Sequence, residues 1–460
     1  MIRVFNVYFP ARTLFLGASE WIVVFTAFTL ALIARAGRDA DLVLEDEHGI
    51  YKIALVAAVY LLCMYYLDLY DTKVLTNRHQ VLTRIMQVLG LGTIVLAVVY
   101  YSFPGMQLGR GTFLLGLLLA LPCLVLWREA FPRLVRSLHM AEKSILIGNG
   151  SLAQMLWSEV TARPEFGLDL AGCVNAPGQE SFGVPCLGSM EDLSDLVDRN
   201  AITRVIVAMT DRRGRIPLEE LLALKARGVI VQDGSDLYES MTGKIQLETL
   251  RPGWLLFSSG FRVSGLLLFY KRATAFILSL AALTVTLPLF IVIAIAIRLE
   301  SKGPAIFRQK RVGKDGKLFN LYKFRTMVVG ADSNGKSRPA EDDDARCTRL
   351  GRWLRRTRLD ELPQLCNILF GDMDFVGPRP FVPDQEEEYA RQIPFYEQRW
   401  MIKPGATGWA QINYGYCATL EDNIQKTAYD LYYLKHISIG LDLLIIFQTV
   451  KTLLLKRGGR

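Results

Sequence analysis

Apolar residues gather in long blocks over the first third of the chain. Four stretches, 13–34, 52–67, 81–101 and 108–127, run with hardly an ion between them. A bilayer's hydrocarbon core, ~30 Å thick, takes about 20 helical residues, and each block approaches that length, the second being the shortest. Soluble helices this long carry a polar stripe, which these lack, so the pattern predicts a four-helix transmembrane bundle. A fifth block, 273–297, stands apart. Lys271 and Arg272 precede it, Arg298 and Lys302 follow it, and Pro288 sits near its middle, where the missing N–H favours a kink. Basic residues at both ends suit a segment that enters and leaves on one face, while an ordinary spanning helix with a tolerated proline fits the residues equally well.

Between the fourth and fifth blocks the pattern shortens. "KSILIGNGSLAQMLWSEV" reads as strand, glycine turn and helix, and "AGCVN", "TRVIVAMT" and "GVIVQDG" read as further parallel strands, so 142–262 predicts a small α/β domain. Gly148, Gly150 and Ala153 form a GxGxxA turn of the Rossmann type. The second strand ends at Asn175, where a dinucleotide-binding unit places an Asp or Glu, so the domain is expected to pack or regulate rather than catalyse.

Charge orients this layout. The acids Asp39, Asp41, Glu45, Asp46 and Glu47 fall between the first two blocks, Lys73, Arg78 and Arg84 between the next two, and Arg128, Arg133, Arg136 and Lys143 after the fourth. The bias of Lys and Arg toward the cytoplasm puts both ends of the bundle inside. No small-residue cleavage site follows the first block, so no cleavable signal peptide is expected. The net charge of +8 suits an anionic partner, and no nucleic-acid module accompanies it. Cys63, Cys123, Cys173, Cys186, Cys347, Cys366 and Cys417 include no CxxC, and the four histidines form no HExxH, so reduced thiols are expected and no zinc site.

The chemistry lies beyond Lys302. "FRQKRVGKDGKLFNLYKFRTM" holds a glycine turn between two strand-like runs, with Arg308, Lys310, Arg311, Lys323 and Arg325 along it. In "RLGRWLRRTRLDELPQLCNILFGDMDFVGPRP", Asp360 and Glu361 follow Arg352, Arg355, Arg356 and Arg358, and Pro363 suits the first turn of a helix. Asp372 and Asp374 precede a Pro-Arg-Pro turn around Arg379. Carboxylates able to hold Mg²⁺ beside arginines able to clamp phosphate are what phosphoryl transfer requires.

These runs, with "KPGATGWAQIN" and "YDLYYLKHISIGLDLLIIFQTV", resemble over 270–460 the catalytic module of the monotopic polyprenol-phosphate phosphoglycosyl transferases, the bacterial sugar transferase family. The bundle and α/β domain further resemble the family's large form. The resemblance implies a membrane protein of α and α/β class in three parts: a transmembrane bundle (1–141), a cytoplasmic Rossmann-like domain (142–262) and a membrane-seated catalytic domain (263–460). It also implies that 271–299 is a re-entrant helix bent at Pro288, with the active site on the cytoplasmic side of a bacterial inner membrane. The implied reaction moves a sugar-1-phosphate from a UDP-sugar to undecaprenyl phosphate with Mg²⁺, releasing UMP and starting a surface polysaccharide. Position by position, Asp360 matches the family's nucleophile and Glu361 its partner, the two acids being the expected metal ligands. Arg355 and Arg379 match phosphate-contacting arginines, Lys323 and Asp430 fall in other recurrent polar motifs of the family, and with Arg325 of the basic run they are the expected substrate-binding residues.

A homodimer held by the α/β domain is expected, and the run 437–455 is expected to lie on the bilayer with Leu441, Leu444, Ile445 and Val450 toward lipid. Three rival functions fare worse. A membrane-anchored nucleotide-sugar dehydratase needs a Tyr-xxx-Lys pair, and no tyrosine here has lysine four residues on. A non-catalytic assembly scaffold would tolerate a substituted dyad, yet Asp360-Glu361 is intact. A transporter needs charges within its spans, and these carry almost none.

Overall fold

A computed structural model describes residues 2–4, 6–45, 48–70, 78–137, 141–148, 150–175, 183–209, 216–247, 260–261, 264–330, 346–415 and 419–454. Asp46, Glu47, Lys73, Cys417 and Leu455 of the sequence reading lie outside the described residues. The chain divides into two compact units, one built from 8–237 with the first two residues, the other from 238–460 with residues 3–7.

The first unit opens with four long apolar helices: α1 (Ala11–Ala36), α2 (Gly49–Tyr66), α3 (Arg78–Ser102) and α4 (Arg110–Ser137). Val24, Phe28 and Leu32 of α1 meet Ile53, Val56 and Tyr60 of α2, with Val88, Leu96 and Leu124 closing the core. Two glycines let the helices approach, as small residues do in membrane bundles. A Cβ on Gly92 would stand 2.4 Å from the Tyr60 ring, and one on Gly116 2.5 Å from Phe28. Ile22, Leu30, Ile94, Val98, Leu114 and Leu118 face outward. The sequence marks Arg128 only as one of the basic residues that follow the fourth block. It is buried, donating to Glu20 of α1 and to the Leu69 carbonyl at 2.9 Å. Tyr70 adds a 2.7 Å bond to the same glutamate. A charge at such depth persists only when paired, which is why this carboxylate and guanidinium occur together.

The same unit ends in a five-stranded parallel sheet: β1 (Glu142–Ile147), β2 (Leu168–Asn175), β3 (Cys186–Ser189), β4 (Arg204–Val207) and β5 (Ile230–Asp233), in the order β3-β2-β1-β4-β5. Order reverses beside β1, as in doubly wound folds. Helix α5 (Ser151–Ala162) leaves β1 through the glycine turn, where Gly148 takes φ +101° and a Cβ would strike Met209 at 2.8 Å. Asn175 closes β2, as the sequence reads.

The second unit is organised around one helix, α6 (Gly265–Glu300), unbroken through Pro288. Its 36 residues would run to about 54 Å if straight. Along its middle most side chains are exposed, Val285 by 80% and Val292 by 62%, with Phe290 the first to turn back onto the core. The two ends are differently placed. Ala275 joins a small core with Leu321, Ile368 and Met373, while Ile293 and Ile297 pack with Phe324 and Leu354. Lys271 and Arg272, read in the sequence as charges flanking the apolar block, are internal ties. Lys271 donates to Asp442 at 2.6 Å and to Tyr433 at 2.7 Å, and Arg272 caps the carbonyls of Ile368 and Leu369, each at 2.7 Å.

Against this helix lie an antiparallel hairpin, β6 (Ile306–Val312) with β7 (Leu318–Phe324), and two short helices, α7 (Arg349–Arg356) and α8 (Gln364–Phe370). A two-stranded parallel ladder joins β8 (Asp374–Val376) to β9 (Gly405–Thr407). Here the glycines of "VGPRP" and "KPGATGW" find their reason: a Cβ on Gly405 would sit 2.1 Å from the Gly377 nitrogen. Helices α9 (Pro383–Gln392), α10 (Leu420–His436) and α11 (Ile439–Leu454) complete the unit. In α11, Leu441 and Ile445 are fully buried within the domain, while Leu443, Val450 and Leu453 are exposed. The amphipathic reading therefore had two of its four lipid-facing residues on the inward side. The tie from Lys271 to Asp442 sets that rotation. Among the described residues, five helices are long and apolar enough to cross a membrane, α6 being the most apolar and the least buried.

Candidate active site

Asp360 and Glu361 fall in a single 3-10 turn, Leu359–Glu361, between α7 and α8. Arg358 precedes it at φ +59°, a left-handed conformation that costs a non-glycine residue roughly 1–2 kcal/mol. Leu359 and Leu362 pin the turn to the core beneath, beside Leu354 and Ile297.

The two acids are held differently. Glu361 Oε1 accepts from Lys323 Nζ at 2.9 Å and from Arg379 Nη2 at 3.1 Å. Burial alone would raise its pKa, but the charges of Lys323, Arg379 and Arg358 outweigh that and hold it far below the usual carboxylate range. Asp360 is buried and, among the described residues, accepts no hydrogen bond. Burial pushes its pKa up, Lys323, Arg355 and Arg358 pull it down, and the Glu361 charge pushes it up again, leaving it above the ordinary aspartate value. One carboxylate is locked as an anion; the other stands unbonded beside it.

Arg379 is delivered by a loop whose carbonyls are all tied. Those of Pro378, Arg379, Pro380 and Phe381 accept from the Gly405 N–H (3.0 Å), Arg399 (2.9 Å), Arg311 (3.1 Å) and the Val312 N–H (3.2 Å). Prolines offer no N–H, so fixing the carbonyls is how such a loop is made rigid. Arg355 donates to Thr326 at 2.9 Å and contributes its charge to the Asp360 environment.

Two expected substrate contacts sit elsewhere. Arg325 is buried, with its guanidinium on the carbonyls of Ile297, Lys302 and Ser301 and the Ser301 hydroxyl, where it caps the end of α6. Asp430 is buried against Arg399 at 2.8 Å and reaches the site only through that arginine. Asp374, read as a metal candidate, lies among Lys271, Lys403, Asp442 and Arg272. The exposed Asp372 accepts from Asn367.

Period two along the hairpin sorts its basic residues. Arg311 and Lys323 share one face with Leu321 between them, while Arg308 and Lys310 point to the other and are exposed. Arg311, Lys323, Arg379 and Gln364 line a recess floored by Leu321, Met373 and Pro380. Arg311 was quoted in the sequence only as part of a basic run, and its strand position is the signal that singles it out. Arg399 had no local signal, because its partners Glu386 and Asp430 lie on other helices.

A metal fits this arrangement on one condition. Asp360 and Glu361 Oε2 accept no bond among the described residues, and no group of three or more His, Cys, Asp or Glu able to hold an ion gathers there. Mg²⁺ is commonly held by one or two carboxylates together with water and substrate phosphates, so the pair suits it as a shared site.

Residues 266–456 match the family model described as bacterial sugar transferase, and residues 66–216 one described as a CoA-binding domain. Over 318 residues, 68% of each chain, the sequence is 34% identical to the UDP-glucose:undecaprenyl-phosphate glucose-1-phosphate transferase of Escherichia coli K12. The chain belongs to the bacterial sugar transferase family, the polyprenol-phosphate phosphoglycosyl transferases. A second member, the undecaprenyl-phosphate galactose phosphotransferase of Salmonella typhimurium, is 30% identical over 345 residues, 69% of each chain. A third, the UDP-N-acetylgalactosamine-undecaprenyl-phosphate N-acetylgalactosaminephosphotransferase of Aeromonas hydrophila, is 39% identical over 222 residues, 48% of this chain and 52% of that one. The chain spans between 52% and 66% of the length of several of these curated relatives. The family match encloses Lys323, Asp360, Glu361 and Arg379.

Proposed function

We propose that this chain transfers a sugar-1-phosphate from a UDP-sugar to undecaprenyl phosphate in two displacements at phosphorus, the first step of a surface polysaccharide. The observation that carries the reading is the unequal pair: Glu361 clamped by two cations, Asp360 buried and unbonded beside it. In the first displacement an Asp360 oxygen attacks the β-phosphorus, the bond to the bridging oxygen breaks, and UMP leaves with that electron pair. In the second, an oxygen of the lipid phosphate attacks the same phosphorus and the Asp360 carboxylate is released. Splitting the transfer gives each half a single in-line exchange. Lys323 and Arg379, both tied to Glu361, hold the diphosphate's charge, and Arg355 adds its own beside Asp360. Mg²⁺ bound at Asp360 and Glu361 would neutralise phosphate charge as it shifts toward the leaving group.

The names of the relatives carry glucose, galactose and N-acetylgalactosamine, so a panel of UDP-sugars with undecaprenyl phosphate is the direct test. UMP should appear one-for-one with lipid-linked product for one sugar of the panel; no UMP from any sugar would sink the reading.

The site is proposed to face the cytoplasm of a bacterial inner membrane, with α6 dipping into the bilayer and returning. Its two ends are both tied to one domain, by Arg272 to α8 and by Ile293 and Ile297 against Phe324 and Leu354, while Leu287, Pro288 and Leu289 between them stay exposed. A helix crossing the bilayer would put its ends about 30 Å apart on opposite sides. Cysteines introduced at Leu266 and Leu299 should therefore both react with a membrane-impermeant reagent only from the cytoplasmic side. Reaction of one of them from outside would replace the re-entrant reading with a crossing helix.

A further inference from the structure

We infer that Arg311 binds the nucleotide-side phosphate of the uridine diphosphosugar, so that UMP departs from a guanidinium supplied by the hairpin. This rests on the transferase reading and goes beyond it in assigning the two ends of the recess to the two phosphates.

The hairpin register pairs Arg311 with Phe319 and Phe307 with Lys323, which puts Arg311 and Lys323 at opposite ends of one face. The four residues from Phe319 to Lys323 set their backbones about 13 Å apart, far more than two phosphates joined by one oxygen. It is the long side chains, lining one recess, that close the gap. Leu321 lies between them, and the Pro-Arg-Pro loop brings Arg379 to the same recess. Asp360 feels Lys323, Arg355 and Arg358. Attack from Asp360 thus places the β-phosphate at the end where Lys323 and Arg379 share Glu361, and the α-phosphate falls toward Arg311.

Arg311 is itself incompletely paired. Its Nη1 donates to the Pro380 carbonyl at 3.1 Å and its Nη2 to Gln309 at 2.6 Å, both neutral acceptors. Its Nε is buried with no acceptor. Among the described residues it makes no salt bridge, and Arg379 is a like charge nearby. Burial and then Arg379 pull the Arg311 pKa down to about 10, so an arriving anion relieves both penalties. Glu386 and Glu361 draw Arg311 only from a distance, without a salt bridge among the described residues, so a diphosphate would be its first directly bound anion.

The test is direct binding of UMP and of uridine to the full-length protein in nanodiscs, read by calorimetry. Arg311→Gln should weaken UMP by about 10- to 100-fold, the scale of one charge-assisted contact, and leave uridine unchanged. Arg311→Lys keeps the charge without the fork, so a smaller loss of the same kind is expected, and it serves if the glutamine variant does not fold. Unchanged UMP affinity in the folded variants overturns the inference. So does an equal loss for UMP and uridine, which marks a structural role. If the wild type binds UMP no better than uridine, the transferase reading itself fails.

Discussion

Asp360→Asn should abolish both half-reactions, lowering turnover by roughly 10³-fold or more, the scale on which the loss of a nucleophile is felt. The side chain keeps its size, and Asp360 accepts no hydrogen bond among the described residues, so the amide has no local reason to disturb the fold. On the proposed covalent route, what disappears is the oxygen that would take the phosphorus. With labelled UDP-sugar and no lipid acceptor, wild-type protein should gain the mass of a phosphosugar while releasing UMP, and the asparagine protein should gain none. On that route UMP would leave before the lipid phosphate is used, so steady-state kinetics should be ping-pong. The pH dependence follows from the same environment. Attack needs the ionised form, and burial raises the Asp360 pKa, so adduct formation should fail as pH drops through a value above the ordinary aspartate range. Undiminished lipid-linked product from Asp360→Asn would end the covalent route and favour direct attack by the lipid phosphate.

Much of this was legible from pattern. Long apolar blocks gave the helices of both units, and short apolar runs with a glycine turn gave the parallel sheet, because each pattern reports one period and one degree of burial. The acidic pair and the Pro-Arg-Pro arginine were visible because their chemistry is local: charge, proline and glycine within a few residues. What stayed hidden depended on partners far along the chain. Lys271 reads as a flank charge until Asp442, 171 positions later, is seen to hold it. Arg325 reads as one more phosphate ligand until the end of α6 is found beneath its guanidinium. The inward face of α11 was misassigned for the same reason, since an amphipathic period fixes which residues share a face and not what covers it.

The largest stability effect is expected from Arg399, which sequence spacing does not mark at all. Its side chain is 4% exposed, the guanidinium bonded to Asp430 (2.8 Å), the Tyr396 hydroxyl (2.6 Å) and the Arg379 carbonyl (2.9 Å), with Glu386 at 3.6 Å. Removing it leaves two buried carboxylates facing each other, a loss of roughly 3–5 kcal/mol for a broken buried ion pair. Arg399→Gln should therefore melt well below wild type. The Asp430→Asn/Arg399→Gln double variant should recover part of the loss, because the asparagine has no charge to strand. The sign with pH is fixed by the same geometry. Burial already raises the Asp430 pKa against the pull of Arg399, and without that pull it rises further, above the unfolded value. A carboxyl so raised penalises the folded state fully above its folded pKa, and the penalty fades as pH falls through it. The gap between Arg399→Gln and wild type should accordingly narrow in acid. Function separates this from packing alone. Arg399→Lys keeps a charge for Asp430 but cannot also reach the Arg379 carbonyl, so kcat/KM for the UDP-sugar should fall more than stability does. A stability gap independent of pH, with the two substitutions strictly additive, would show that Arg399 does not balance these carboxylates.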